Sequence, residues 1–140
     1  MKLKSIVWIG LILACILSFA SCSGGIKGEE AKAHINHFFD AVSAEDYEKA
    51  ETLLHPQRPY DLEEFFRNAE KETGIDFGQG IEIRRYTGFS SAYYDSEVAG
   101  STYELTMDAT VGEQAVEFEI EIVKNESGFG IYNLDLDTTP

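Results

Sequence analysis

Residues 116–122 read Val-Glu-Phe-Glu-Ile-Glu-Ile, and this alternation of apolar and acidic residues decides the fold. Successive side chains of a β-strand point to opposite faces, so a period of two predicts a strand with one buried and one solvated face. The apolar members are Val116, Phe118, Ile120 and Ile122, and the acidic members are Glu117, Glu119 and Glu121. Such a strand belongs in a sheet that is covered on one side only, as antiparallel sheets commonly are.

The neighbouring segments extend this pattern into an antiparallel meander. Upstream, Tyr103, Leu105, Met107 and Ala109 alternate with polar residues, and the link at 111–114 is short enough for a hairpin. A second turn at 125–128 leads into residues 129–136, where the parity of the apolar residues changes near Ile131, as a β-bulge would require. An earlier strand is predicted at 81–94, bent at Gly88.

Helical periodicity precedes the sheet. Residues 29–42 carry one apolar stripe, made of Ala31, Ile35, Phe38, Phe39 and Val42. Ser43 is predicted to cap a second helix that extends to Leu54, and Asp61 to cap a third that ends at Gly74. The predicted fold is therefore α+β, with N-terminal helices packed on a curved four-stranded antiparallel sheet.

The N-terminus has the layout of a secretory signal. Lys2 and Lys4 precede an apolar run at 6–20, and small residues follow before Cys22. The run is about 15 residues long, whereas a spanning helix needs about 20. A processed signal peptide is therefore predicted.

The tetrapeptide Phe19-Ala20-Ser21-Cys22 resembles the lipobox of bacterial lipoproteins, although Phe19 stands where that family usually has Leu. The resemblance implies cleavage before Cys22, acylation of its thiol and attachment to a membrane of the bacterial cell envelope. Two alternatives remain: cleavage after Ala20, which would release a soluble protein, and retention of the apolar run as an uncleaved anchor.

Cleavage before Cys22 divides the chain into a signal peptide at 1–21, a lipidated cysteine and flexible tether at 22–28, and one domain at 29–140. The 119 mature residues keep 9 basic and 25 acidic side chains, a formal charge of −16. A polyanion would be repelled by this surface, so nucleic acid is excluded as a partner. With Cys22 as the only remaining thiol, no intramolecular disulfide is predicted.

The order of these elements resembles the NTF2-like (cystatin-like α+β cone) superfamily, and in particular its small lipoproteins of unknown function. The segments that carry the resemblance are Phe38-Phe39, Asp46-Tyr47-Glu48-Lys49-Ala50, Leu53-Leu54 and Gly130-Ile131-Tyr132-Asn133-Leu134. The resemblance implies a cone of sheet and helices that, in different members, houses isomerase-like enzymes, dehydratases or non-catalytic binding domains. It also implies a homodimer, since related domains often dimerise through their sheets.

Strand parity argues against catalysis by the sheet. An isomerase-like mechanism needs a carboxylate or histidine that points into the apolar cone. The predicted inward residues of 103–109 and 116–122 include no such group, because every acidic residue there has the opposite parity. No catalytic residue and no cofactor are predicted, although a helix residue could supply a base.

Three residues are candidates for ligand binding. Arg85 shares parity with Ile81 and Ile83, so it is expected to point inward and hold an anion, or else to form an ordinary ion pair. Tyr103 lines a pocket or belongs to the core. His34 borders the first helical stripe and is a candidate base or ligand contact, with a hydrogen-bonded structural histidine as the simpler interpretation.

The spacing His34-x-x-His37 does not predict a metal site. The two side chains diverge around the helix, and no third ligand is close in sequence.

The sequence thus predicts a non-catalytic envelope lipoprotein, joined to the membrane through Cys22, whose domain binds a small apolar or anionic ligand or a protein partner. The alternative is an NTF2-like enzyme of isomerase or dehydratase type that acts on a small apolar substrate.

Overall fold

The computed structural model describes residues 26–94 and 100–138, with the backbone alone for residues 92–94. Its helices are α1 (Gly28–Ser43), α2 (Tyr47–Glu51) and α3 (Leu62–Thr73), followed by a short 3₁₀ turn at Phe77–Gln79. The strands are β1 (Ile81–Tyr94), β2 (Gly100–Val111), β3 (Gln114–Asn125) and β4 (Gly128–Asp137). The domain is α+β, with helices packed against a curved sheet, as predicted.

The four strands form an antiparallel meander in the order β1-β2-β3-β4. Phe118 lies in the middle of the sheet, opposite Met107 on β2 and Leu136 on β4. The parity change predicted near Ile131 is a bulge: Glu121 pairs with Asn133 and Ile122 pairs with Ile131, which leaves Tyr132 as the extra residue. The meander and its bulge are therefore confirmed.

The third predicted helix is confirmed at both ends. Asp61 Oδ1 accepts the backbone N–H of Glu64 at 2.8 Å, which satisfies one of the free donors of the first turn. Gly74 closes α3 with a φ of 75°, a left-handed conformation that glycine adopts without steric cost.

The second helix is shorter than predicted, and its predicted cap is wrong. Ser43 is the last residue of α1, and its Oγ accepts the backbone N–H of Ile81 at 2.9 Å, which joins the end of α1 to the start of β1. Glu45 then takes a φ of 58°, and Asp46 caps the single turn of α2 through the backbone N–H of Lys49. The connection to the sheet thus determines the role of Ser43.

The core lies between the inner face of the sheet and the helices. Phe39 of α1 contacts Phe118 of β3 with ring centroids 4.7 Å apart, and Phe66 of α3 meets Phe77 at 5.0 Å. The largest fully buried side chains include five phenylalanines, which are Phe38, Phe39, Phe66, Phe77 and Phe118. Their packing fills the space between the two layers.

The first described residues pack against the domain. Ile26 is half-buried and packs against the core, and α1 starts at Gly28. The predicted signal peptide at 1–21 and the lipid attachment site Cys22 lie outside the described residues. The helices of the described residues, with α1 of 16 residues as the longest, include no candidate for a membrane span.

Candidate functional site

Arg85 lies on the outer face of the sheet, so the inward orientation expected from its parity is wrong. A register shift between Ile83 and Arg85 inserts Arg84 as an extra residue and turns the following side chains over. Arg85 Nε donates to Asp108 Oδ2 at 2.6 Å, and its side chain is 74% exposed. Arg85 thus forms the ordinary ion pair that was the alternative prediction. Such an exposed pair contributes little to stability.

Tyr103 points inward, as its parity predicted, and packs at the edge of the core near the start of α1. A Cβ built on Gly28 would lie 2.7 Å from the Tyr103 hydroxyl oxygen. The phenol therefore contacts the backbone of the first helical turn, and the absence of a side chain at Gly28 provides the space for it.

His34 has a structural partner on the loop that follows α2. Its Nε2–H donates to the carbonyl oxygen of Leu53 at 2.6 Å, and that oxygen also accepts the backbone N–H of Ile131 at 3.0 Å. The imidazole meets the Phe129 ring edge-on, with centroids 4.8 Å apart. These contacts fix the ring between α1 and β4, as in the simpler of the two interpretations. No contact joins Arg85, Tyr103 and His34 to one another in the described part of the chain.

His55, which precedes Pro56 in the loop after α2, is fully buried, and its sequence context does not predict this. Its Nδ1 accepts the backbone N–H of Gln57 at 3.1 Å, so Nε2 carries the proton and donates to Asn125 Oδ1 at 2.9 Å. Asn125 in turn donates to Gln57 Oε1 at 2.9 Å. This network joins the loop after α2 to the β3–β4 turn. In the sequence, only the polar character of its members indicates this network. They lie about 70 residues apart, so helical or strand periodicity cannot show that they are in contact.

The backbone next to this network is packed too closely for a side chain at Gly130. A Cβ there would lie 2.5 Å from the carbonyl carbon of Leu54 and 2.6 Å from the nitrogen of His55. The close approach allows the His55 N–H to donate to the Ile131 carbonyl at 2.8 Å, which adds a short parallel bridge to the edge of β4.

A solvent-open groove of about 250 Å³ lies between the second half of α3 and the end of β4. Its wall combines apolar, neutral polar and acidic side chains, which are Phe65, Asn68, Ala69, Glu72, Thr73, Asp135 and Leu136. The Thr73 hydroxyl donates to the Ala69 carbonyl at 2.6 Å, and the Leu136 N–H donates to Asp135 Oδ1 at 2.9 Å. The groove therefore has an ordered wall with two carboxylates beside an apolar surface.

Carboxylates on the outer face of the sheet repel one another. Glu104 lies directly opposite Glu121, and Glu119 lies opposite Asp135. The pKa of Glu119 is raised above its usual value, chiefly by the charge of Glu104 and then by partial burial. The pKa of Glu121 is raised mainly by burial and then by the charge of Glu104. The outer face is thus a strained array of like charges.

The pKa values of three tyrosine hydroxyls near the core are raised as well. Burial raises the pKa of Tyr60 and of Tyr86, and the buried hydroxyl of each lacks a hydrogen-bond partner within the described residues. Burial, with the nearby charge of Glu70, raises the pKa of Tyr47. The Lys32 ammonium lies 4.7 Å from the centroid of the Tyr86 ring, a cation–π contact between α1 and β1. All three phenols stay protonated at neutral pH.

Nothing in residues 26–94 and 100–138 groups three or more metal-binding side chains around a common point. A scan against protein-family models and a search of curated proteins each give no match for the chain.

Proposed function

We propose that the chain is a non-catalytic lipoprotein of the bacterial envelope, with an NTF2-like domain that binds a small ligand in the groove between α3 and β4. The signal-like N-terminus supports the location, and the order of helices and strands supports the superfamily. Anchoring through a lipid on Cys22 follows from the lipobox-like sequence that precedes it.

The observation that carries the binding proposal is the groove itself. The space between the sheet and the helices is filled by buried apolar side chains, so a ligand would bind outside the cone. The groove of about 250 Å³ suits a small molecule better than a protein partner. Small-ligand sites typically combine an apolar wall with a few polar groups that orient the ligand, as this wall does.

The charge of the groove indicates the ligand class. Glu72 and Asp135 contribute carboxylates, and the mature chain has a formal charge of −16. The Coulomb interaction therefore favours a ligand with a cationic end and disfavours an anion. A small molecule with an apolar body and an amine matches both parts of the wall.

The alternative of an isomerase or dehydratase has less support. His34 is held by the Leu53 carbonyl and by the Phe129 ring, so its donor nitrogen is already engaged. Glu72 and Asp135 are exposed to solvent, whereas a carboxylate base of that kind works in a water-poor site. A void containing a base beside a tyrosine, which such chemistry needs, is not found in the described residues.

Calorimetric titration of the protein purified from its membrane tests the ligand site. Benzylamine serves as the probe, and benzoate serves as the control of similar size with reversed charge. We expect benzylamine to bind more tightly than benzoate, and Glu72→Gln to weaken its binding about three- to tenfold through loss of one charge.

Glu48→Gln is the matched control, because Glu48 is an exposed carboxylate on α2 away from the groove. This variant should bind benzylamine as the parent does. Equal binding of benzoate, or an equal loss in Glu48→Gln and Glu72→Gln, would contradict the proposed site.

A further inference from the structure

The C-terminal half of β1 presents an apolar surface that the helices leave uncovered. Phe89 pairs with Leu105, which is fully buried, yet Phe89 itself is 77% exposed. Ser90 and Ser91 beside it are also exposed. Phe89 therefore lies on the inner side of the sheet and is left largely uncovered by the helices.

This surface also lacks charge. Residues 86–94 read Tyr-Thr-Gly-Phe-Ser-Ser-Ala-Tyr-Tyr, nine residues without a side chain that is charged at neutral pH, in a chain with 25 acidic residues. Edge strands of natural sheets are usually protected by charged residues, and the first half of β1 has Glu82, Arg84 and Arg85. The second half of the same edge strand has no such protection.

The predicted lipid attachment site is close to this surface. The start of α1 contacts Tyr103 at Gly28, and Tyr103 pairs with Ser91 of β1. Three residues, 23–25, separate Ile26 from Cys22, and even a fully extended chain spans only about 14 Å between these two Cα atoms. A lipid on Cys22 would therefore enter the bilayer on the side of the domain that exposes Phe89.

The charges at the start of α1 do not oppose such an approach. Lys27 and Lys32 balance Glu29 and Glu30 in and around the first turn. The acidic rows of β3 and β4, by contrast, extend along the outer face of the sheet. Among the described residues, the first turn of α1 thus adds no concentrated charge of either sign to the approach of a neutral bilayer.

We propose that Phe89 and the adjoining exposed residues of β1 contact the headgroup region of the bilayer that holds the lipid on Cys22. This inference rests on the proposed lipid anchor and extends it, because it gives the anchored domain a fixed orientation. Aromatic side chains favour the boundary between headgroups and acyl chains, and a contact beside the anchor adds to the binding that the lipid provides.

Tryptophan fluorescence tests the contact directly. Trp8 is the only tryptophan of the chain and lies in the predicted signal peptide, so Phe89→Trp gives the mature protein a single reporter. The full chain, processed by its host and purified from the membrane, is reconstituted into phosphatidylcholine vesicles with and without brominated acyl chains. We expect bromine to quench Phe89→Trp at least about twofold, because an interfacial side chain sits within about 5–10 Å of the acyl boundary.

Gln114→Trp is the matched control. It places the reporter at an exposed, uncharged position next to the β2–β3 turn, where its partner Val111 is six residues along β2 from Leu105, the partner of Phe89. This reporter should be unquenched and should emit as a solvent-exposed tryptophan does. Equal quenching of the two variants would overturn the proposed orientation.

The intact mass of the same preparations shows whether the lipid is present, so that failure of the proposed anchor can be distinguished from failure of the proposed Phe89 contact. A protein without lipid would remove the proposed anchor and the inference with it. A lipidated protein whose Phe89→Trp emission stays water-exposed would overturn the inference alone. A blue-shifted emission that bromine does not quench would also overturn it, because protein rather than lipid would then cover the patch.

Discussion

The two faces of the four-stranded sheet carry opposite chemistry although they share the same strands. On β3, Phe118 and Ile120 are fully buried against the helices, while Glu119 between them is exposed. The inner face gains free energy from burial of apolar area, and the outer face loses some through repulsion between neighbouring carboxylates. One face therefore stabilises the fold, and the other carries a row of acidic side chains.

The sharpest test of this contrast replaces adjacent residues that point to opposite faces. Phe118→Ala removes a fully buried ring that contacts Phe39, and we expect it to lower the free energy of unfolding by about 3–5 kcal/mol. Glu119→Ala should change it by less than about 0.5 kcal/mol, because the side chain is exposed. Urea denaturation followed by circular dichroism measures both. Similar losses in the two variants would contradict the assignment of the faces.

Two glycines extend the comparison to backbone packing. Gly130→Ala should cost about 1–3 kcal/mol, because its Cβ would overlap the backbone of Leu54 and His55. Gly88→Ala is the control: its nearest neighbour is the Thr106 side chain at 3.6 Å, and the change should be neutral or stabilising by about 0.5 kcal/mol. Thermal unfolding of the two variants measures the difference. If Gly130→Ala unfolds at the same temperature as the parent protein, the loop does not pack against β4 as closely as described.

Removal of His55 from the buried polar network should lower the free energy of unfolding by an amount comparable to that for Gly130→Ala. His55→Ala should lower the free energy of unfolding by about 1–3 kcal/mol, because it leaves the Gln57 N–H without its acceptor and removes one of the hydrogen bonds of Asn125. His37→Ala, at an exposed position on α1, should have little effect. The two variants are compared by urea denaturation at pH 7. An equal response would show that the network does not hold the loop.

The smallest effect is expected on the outer face. Glu119→Gln should raise the free energy of unfolding at pH 7 by about 0.2–0.5 kcal/mol, since it removes repulsion from Glu104 and Asp135. The folded protein raises the pKa of Glu119, so it binds this proton more readily than the unfolded chain does.

The sign of the pH dependence follows from this difference. The destabilisation by Glu119 is present above its folded pKa and disappears as pH falls below the unfolded value of 4.5. The advantage of Gln should therefore shrink between pH 7 and pH 4, as paired denaturation curves would measure. An advantage that grows on acidification would contradict the repulsion.

Most of the fold could be predicted from local patterns. Alternation in 103–109 and 116–122 determined which side chains face the helices, and Asp61 and Gly74 marked the ends of α3. These features depend on residues that are close together in the chain, so they can be recognised in a single sequence. Ser43 was misassigned because its partner, the N–H of Ile81, comes 38 residues later.

The candidate site was less predictable because it depends on register and on distant packing. Arg85 was misplaced by a single inserted residue, although the change from odd-numbered Ile81 and Ile83 to even-numbered Tyr86 was a signal for a bulge. The groove joins residues 65–73 of α3 to 135–136 of β4, and periodicity does not relate segments more than 60 residues apart. Tyr103 was placed on the correct face, but a role in binding stays a prediction.

The proposed lipid on Cys22 would anchor this domain to a membrane of the envelope. The intact mass of the protein purified from its native membrane tests this anchor, and the same spectrum can detect a co-purified ligand. We expect a chain that starts at Cys22, has lost residues 1–21 and carries the mass of attached acyl groups. An unmodified N-terminus at Ser21 would exclude the anchor.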